Sequence, residues 1–307
     1  MTRAAIIAGH LVALAVWPVL LVGIINRVKA RWAGRRGPGL WQFGFDLWRL
    51  LGKDAVRSTT STAVFALAPW IILATALASS LVVPLAGPAP LGFRFDFLLL
   101  VYLWGLGRVA LMLGALDTGS PFEGMGASRE ATFGALLEPA LVLVVIALAA
   151  STHGGSLAEG LTVRPDGAQA AAVWAASLVA LLVVVQVEGA RMPVDDPTTH
   201  LELTMIHEVM ILDHSGPDLA AVQAGAAVKL ATGAALIANL VNPVPGSAGW
   251  AAHAGGLIAA NLFVALVIGA VEATVARLRL RAVPQYILIA VVAAVVTILA
   301  TPWRGLS

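Results

Sequence analysis

The amino-acid sequence predicts an all-α membrane protein, a bundle of about eight transmembrane helices joined by charged loops, and three observations carry that prediction. Hydrophobic residues make up 59% of the 307, charged residues only 12%, and the mean hydropathy is +0.90; a soluble domain carries about 25% charged residues. The apolar residues are gathered into runs long enough to cross a bilayer, which takes roughly 20 residues rising about 1.5 Å each. The charges collect between those runs. A barrel would need alternating segments of roughly ten residues, and solid Leu/Val/Ala runs with interspersed Gly do not supply them.

The runs cover about residues 4–25, 63–85, 95–116, 134–152, 170–188, 222–241, 250–272 and 284–302. The first exceeds a signal-peptide core and its positive charge follows rather than precedes it, so it reads as a retained helix. Residues 1–307 form a single integral membrane domain on this reading, with loops at about 26–62, 117–133, 189–221 and 273–283. The first loop carries Arg27, Lys29, Arg31, Arg35, Arg36, Arg49, Lys53 and Arg57. By the positive-inside rule it is cytoplasmic, which places the N-terminus outside a multi-pass protein of the plasma or inner membrane. Threading onward, Arg129, Arg191, Arg277, Arg279 and Arg281 also fall inside, and only Arg3, Arg94, Arg164 and Arg304 fall outside. The partners implied are the lipid bilayer and other proteins, not nucleic acid.

Two loops have features of their own. Between Leu40 and Leu51, Trp41, Phe45, Trp48 and Leu51 interleave with Gln42, Asp46 and Arg49, the pattern of an amphipathic helix lying in the interface. Such a helix either anchors in lipid or floors a cavity and docks a soluble partner. The segment Asp117 to Arg129, with Gly119, Gly124 and Gly126, reads as an irregular loop lining the same cavity.

With no cysteine in the chain, it can hold no iron–sulfur cluster, thiolate zinc site or thioether-linked haem. Electron chemistry then belongs to a partner. His200, His207 and His214 are seven residues apart, about 10.5 Å along a helix and too far to share one ion; His207-Glu208 lacks the second histidine of a zincin motif. No metal site is expected.

The carboxylates lie at one end of the runs: Glu138 opens the fourth, Glu188 closes the fifth, Glu272 is near the end of the seventh, and Asp195, Asp196, Glu202, Glu208, Asp213 and Asp218 follow Glu188. Carboxylates near a membrane centre are the usual material of proton relays; the alternative is that each is a solvated helix terminus. Beyond them only His10 continues an ionisable path outward, so a proton would leave sideways into a neighbour. Read as a helix, Asp195 to His214 puts His200, Thr204, His207, Glu208 and His214 on one face and Met205, Ile206 and Val209 on the other, with Glu202 and Asp213 on the apolar side. Arg108 and Lys229 fall inside predicted helices, where a charge faces the bundle interior or a wet cavity, or else snorkels to the surface.

These segments carry a resemblance. Asn26-Arg27, Arg36-Gly37-Pro38-Gly39, Gln42 and Asp46 are similar to the first cytoplasmic loop of the complex I subunit 1 family, and Glu188-Gly189-Ala190-Arg191-Met192-Pro193-Val194-Asp195 to its Glu-x-x-Arg-x-Pro-x-Asp signature. From Asp195 through His200-Leu201-Glu202, Ile206-His207-Glu208 and Asp213-His214-Ser215-Gly216, the chain resembles the branch of hydrogenase-4, formate hydrogenlyase and related membrane-bound [NiFe]-hydrogenases. Leu116-Asp117-Thr118-Gly119-Ser120-Pro121-Phe122 and Gly124 to Glu130 are similar to that branch too.

The resemblance implies a membrane subunit that cradles soluble [NiFe]-hydrogenase and iron–sulfur subunits, contacts antiporter-like membrane subunits, and couples redox change to ion translocation without a redox centre of its own. It implies a relay through Glu138, Glu188, Arg191, Asp195, Glu202 and Glu208, with Asp213 a further candidate from its place among apolar residues. Arg27, Arg35, Arg36 and Asp46 would dock the soluble arm. The alternatives are a quinone-chamber subunit of an NADH:quinone oxidoreductase, which leaves quinone open as a ligand, and a stand-alone secondary transporter, for which inverted repeats are wanting.

Overall fold

The computed structural model describes residues 3–152, 155–195 and 205–302. Its elements are α1 (Arg3–Trp32), α2 (Gln42–Leu51), α3 (Ala63–Ser80), α4 (Asp96–Asp117), α5 (Pro121–Ala150), α6 (Leu157–Gly160), α7 (Ala168–Glu188), α8 (Gly216–Val241), α9 (Trp250–Thr274) and α10 (Val283–Ala300), with short 3-10 turns at Glu208–Ile211, Gly246–Ala248 and Leu280–Ala282. Eight of the described helices are long and apolar enough to span a bilayer: α1, α3, α4, α5, α7, α8, α9 and α10. The chain is an all-α multi-pass membrane protein, and its described residues contain no strand.

The bundle is organised around α8, the most deeply buried span, which packs against α1, α2, α3, α7 and α9. Its inward residues are mostly small, among them Ala220, Ala221, Ala227, Ala231, Ala234, Ala235 and Ala238. In lipid the hydrophobic effect does not draw helices together, so close approach of small side chains and dispersion must do it. Around this hub, α3 pairs with α4, α1 with α9, and α5, α7 and α10 form a second packed group. The outer faces remain apolar for lipid: Leu262, Phe263 and Leu266 on α9, and Leu288, Val292 and Leu299 on α10, are exposed.

Element ends follow local chemistry. Proline opens α5, α8 and α10, where its missing N–H would have no helical partner. The α3 N-terminus is capped twice over: Thr62 Oγ1 accepts the Val64 amide at 3.2 Å, and the Asp117 carboxylate at the end of α4 accepts the Thr62 amide (2.6 Å), the Thr62 hydroxyl (2.8 Å) and the Phe65 amide (3.2 Å). Asp117 therefore fastens the α3–α4 pair at the charged end of the bundle. There too, α2 exposes Trp41, Phe45, Trp48 and Leu51 along one side, as an interfacial helix should.

Three expectations need correction. The fourth span starts at Pro121 and not near 134, so the glycine-containing stretch from Pro121 to Glu130 is helix rather than irregular loop, and Glu138 sits mid-helix rather than opening it. The physical reason is Pro121 at the first turn with Glu123 beside the helix N-terminus, while Gly126 admits a neighbour: a Cβ there would meet Val209 at 2.4 Å and Met210 at 2.8 Å. The described part of the Asp195–His214 segment is not one amphipathic helix but a turn around Glu208–Ile211. It is folded over the bundle end because the buried Asp195 carboxylate accepts the amides of Ile206 (3.1 Å) and His207 (2.9 Å). Met205, Ile206, Val209 and Met210 do face inward, but Asp213 is exposed rather than on the apolar side, and its amide donates to Glu123 Oε1 at 3.1 Å. His200 and Glu202 lie outside the described residues.

A buried ion-pair network as the candidate functional site

The network is centred on Arg108 of α4, which is 6% exposed. Its Nε lies 3.2 Å from Glu130 Oε1, one terminal nitrogen binds Glu138 and the other binds Glu188. Glu130 and Glu138 come from α5 with Gly134 midway between them. Spacing of four and eight residues puts all three on one helical face. The glycine is what lets the guanidinium lie across that face, since a Cβ at residue 134 would fall 2.7 Å from Arg108 Nη1. Glu188, the last residue of α7, is also paired with Lys229 of α8, whose ammonium stands 5.4 Å over the Trp104 ring. Four spans thus meet at one cluster of two cations and three carboxylates, leaving one negative charge over.

That surplus has a physical consequence. An unpaired buried charge is costly, so the cluster favours binding one further proton or cation. An enclosed cavity of about 40 Å³ adjoins it, lined among others by Thr75, Trp104, Arg108, Glu130, Glu188 and Lys229, with room for roughly three water molecules. A second, open cavity of about 670 Å³ lies between α1, α2 and α8 at the charged end; Asn26, Asp46, Arg49, Lys53, Arg191 and Glu208 face it together with Val22, Phe43 and Leu230.

A smaller cluster sits beside Arg191. The Glu272 side chain is fully buried on α9, 2.9 Å from Lys29 Nζ of α1 and 3.6 Å from Arg191. Asp195, besides holding the Ile206 and His207 amides, accepts Arg277 Nη2 at 3.1 Å. Burial pushes the His207 imidazole down to about 4, against the Asp195 and Glu188 carboxylates and with the Lys229 ammonium.

Of the residues singled out in the sequence, Glu138, Glu188, Arg108 and Lys229 therefore share one network, Arg191 and Asp195 belong to adjacent ion pairs, and Glu208 lines the open cavity. Asp46 lines the same cavity from α2, where it accepts Gln42 Nε2 at 3.0 Å and pairs with Arg49. Arg35 and Arg36 are exposed, Arg27 is half-buried, and Asp213 is apart from all of these groups. Glu130, Gly134, Trp104 and the Lys29–Glu272 pair are additions that the structure alone supplies. Only the i, i+4, i+8 spacing of Glu130, Gly134 and Glu138 was there in the sequence to suggest the first two.

The NADH dehydrogenase family matches residues 5–302. Hydrogenase-4 component C of Escherichia coli (strain K12) is 34% identical over 234 residues, covering 73% of this chain and 70% of that protein. Formate hydrogenlyase subunit 4 of the same organism is 32% identical over 286 residues, covering 90% and 91%. A membrane subunit of the NADH-quinone oxidoreductase of Methylococcus capsulatus is 26% identical over 208 residues, covering 65% and 66%. In fold the chain is similar to one in the structure of the membrane-bound sulfane sulfur reductase, an archaeal respiratory membrane complex: TM-score 0.79, 21% identity, covering 97% of this chain and 98% of that one. With the match running almost from end to end, this chain belongs to the NADH dehydrogenase family, the membrane subunits common to complex I and to hydrogenase-4 and formate hydrogenlyase assemblies.

Proposed function

We propose that the chain is the membrane coupling subunit of a complex I-like [NiFe]-hydrogenase of the hydrogenase-4 or formate hydrogenlyase type, joining a soluble redox arm to ion translocation. The observation that carries the coupling role is the Arg108 network, with three carboxylates and two cations drawn from four spans beside a cavity open at the charged end. Such a cluster exchanges a proton in response to a nearby change of charge. The two relatives above 30% identity favour the hydrogenase branch. On this reading Glu130, Glu138, Glu188, Asp195, Glu202 and Glu208 relay protons, with Arg191 beside them. Arg27, Arg35, Arg36 and Asp46 meet the soluble hydrogenase and iron–sulfur subunits, antiporter-like subunits flank the bundle, and the basic end is cytoplasmic with the N-terminus outside. The [NiFe] centre and clusters belong to those partners.

A second reading has one observation in its favour. The open cavity is large enough for a quinone headgroup and offers Val22, Phe43, Leu50 and Leu230 to its tail, and a quinone oxidoreductase subunit is among the relatives. Affinity purification in mild detergent, with mass spectrometry and metal analysis, separates the two. Nickel, iron and hydrogenase subunits are expected; NADH-oxidising subunits with bound quinone would move the assignment to the second reading, and a metal-free solitary chain would contradict both.

A further inference from the structure

The open cavity and the Arg108 network are separate spaces, and only one described side chain borders both of them as well as a third, small void of about 10 Å³ between α5 and the Asp195 loop. That residue is His207. Glu130 lines the enclosed cavity and the small void but not the open one; Glu208 and Arg191 line the open cavity but not the enclosed one. The His207 backbone is fixed by its amide bond to Asp195, itself tied to Arg277. The ring is left to face the cavities, among Glu188 of α7, Lys229 of α8, Glu130 of α5 and the Asp195 carboxylate.

We propose that His207 passes protons one at a time between the open cavity and the Arg108 network. This rests on the reading of that network as a relay. The step balances without any other reagent. A proton from water in the open cavity binds one ring nitrogen, giving imidazolium; the opposite nitrogen releases its proton to water in the enclosed cavity or directly to a carboxylate, Glu130 being the one that reaches both sides of the ring. The ring is left neutral in its other tautomer, and rotation or tautomer exchange resets it. The lowered pKa of His207 fits this use, because a ring that is neutral near pH 7 is free to accept and gives the proton up readily once charged. Glu188 and Asp195 favour the charged intermediate, while Lys229 opposes its persistence.

The test uses the intact purified complex in proteoliposomes, driven by its own electron donor and acceptor, with a pH-sensitive dye reporting proton uptake. For His207→Gln, which keeps size and polarity but cannot carry a proton, uptake is expected to fall about a hundredfold. His207→Gly should fall equally and recover when imidazole is added, which a merely structural role would not allow. Wild-type uptake in His207→Gln, with uptake lost in Glu130→Gln, would overturn the histidine's role and leave the relay standing. Wild-type uptake in both variants would overturn the relay and the proposal together. If the Gln variant does not assemble, the Gly variant decides: no recovery with imidazole overturns the proposal.

Discussion

At the scale of single residues, Arg108 is the group on which the site depends. Its guanidinium has five donors in a rigid fork and uses them on Glu130, Glu138 and Glu188 at once. Removing it strands three carboxylates around Lys229. Arg108→Leu is therefore expected to cost about 3–5 kcal/mol, as for any buried pair broken on one side, and to lower the melting temperature in detergent; an unchanged melt would show that the network contributes nothing to the fold. Gly134→Ala should cost about 1–3 kcal/mol through overpacking, because the new Cβ would fall 2.7 Å from Arg108 Nη1. Arg108 and Lys229 were legible in the sequence because a charge inside an apolar run always needs a partner. Glu130 was not, since it lies in a stretch whose glycines read as loop, and a glycine that makes room for a side chain on another helix has no local mark.

At the scale of elements, the eight spans were legible because hydropathy over about 20 residues is a strong signal, whereas ends and loop conformations depend on partners far away in sequence. Asp117 caps α3 across 55 residues, and Asp195 holds Ile206 and His207 across a loop. Periodicity suggested a helix for that loop, but the long-range bonds folded it into a turn. The turn carries its own pH dependence. Besides His207 it holds the buried His214, stacked on Phe65 at 4.1 Å between ring centres; burial lowers its pKa, opposed by Asp218 and Asp213 and reinforced by Arg57. Both imidazoles thus titrate below the unfolded value of 6.5, so the unfolded segment binds protons first. Their contribution is complete above about pH 6.5 and is lost as pH falls from there toward about 4. The melting temperature should drop across that window and do so less in His214→Gln; equal pH dependence in the variant would exclude His214 as a cause.

At the scale of the whole molecule, charge is divided along the bundle axis. The ion pairs, the open cavity and α2 gather at one end, and the lipid-facing surfaces of α9 and α10 are apolar. The exposed Arg35 and Arg36 turn joins α1 to α2 at the rim of that end. Replacing both arginines by alanine should loosen the soluble arm, and undiminished co-purification of that arm would contradict the docking role. The overall division was readable from loop charges alone, but the meeting of α4, α5, α7 and α8 at one cluster was not, because nothing in a single sequence says which helices are neighbours. Central to the account is that this cluster couples electron transfer to ion movement. The most direct measurement is the number of protons translocated per electron by the reconstituted complex carrying Glu188→Gln, which keeps the side chain's shape and removes the charge shared by Arg108 and Lys229. The account predicts that translocation per electron collapses in a complex that still assembles. A wild-type ratio in that variant would contradict it.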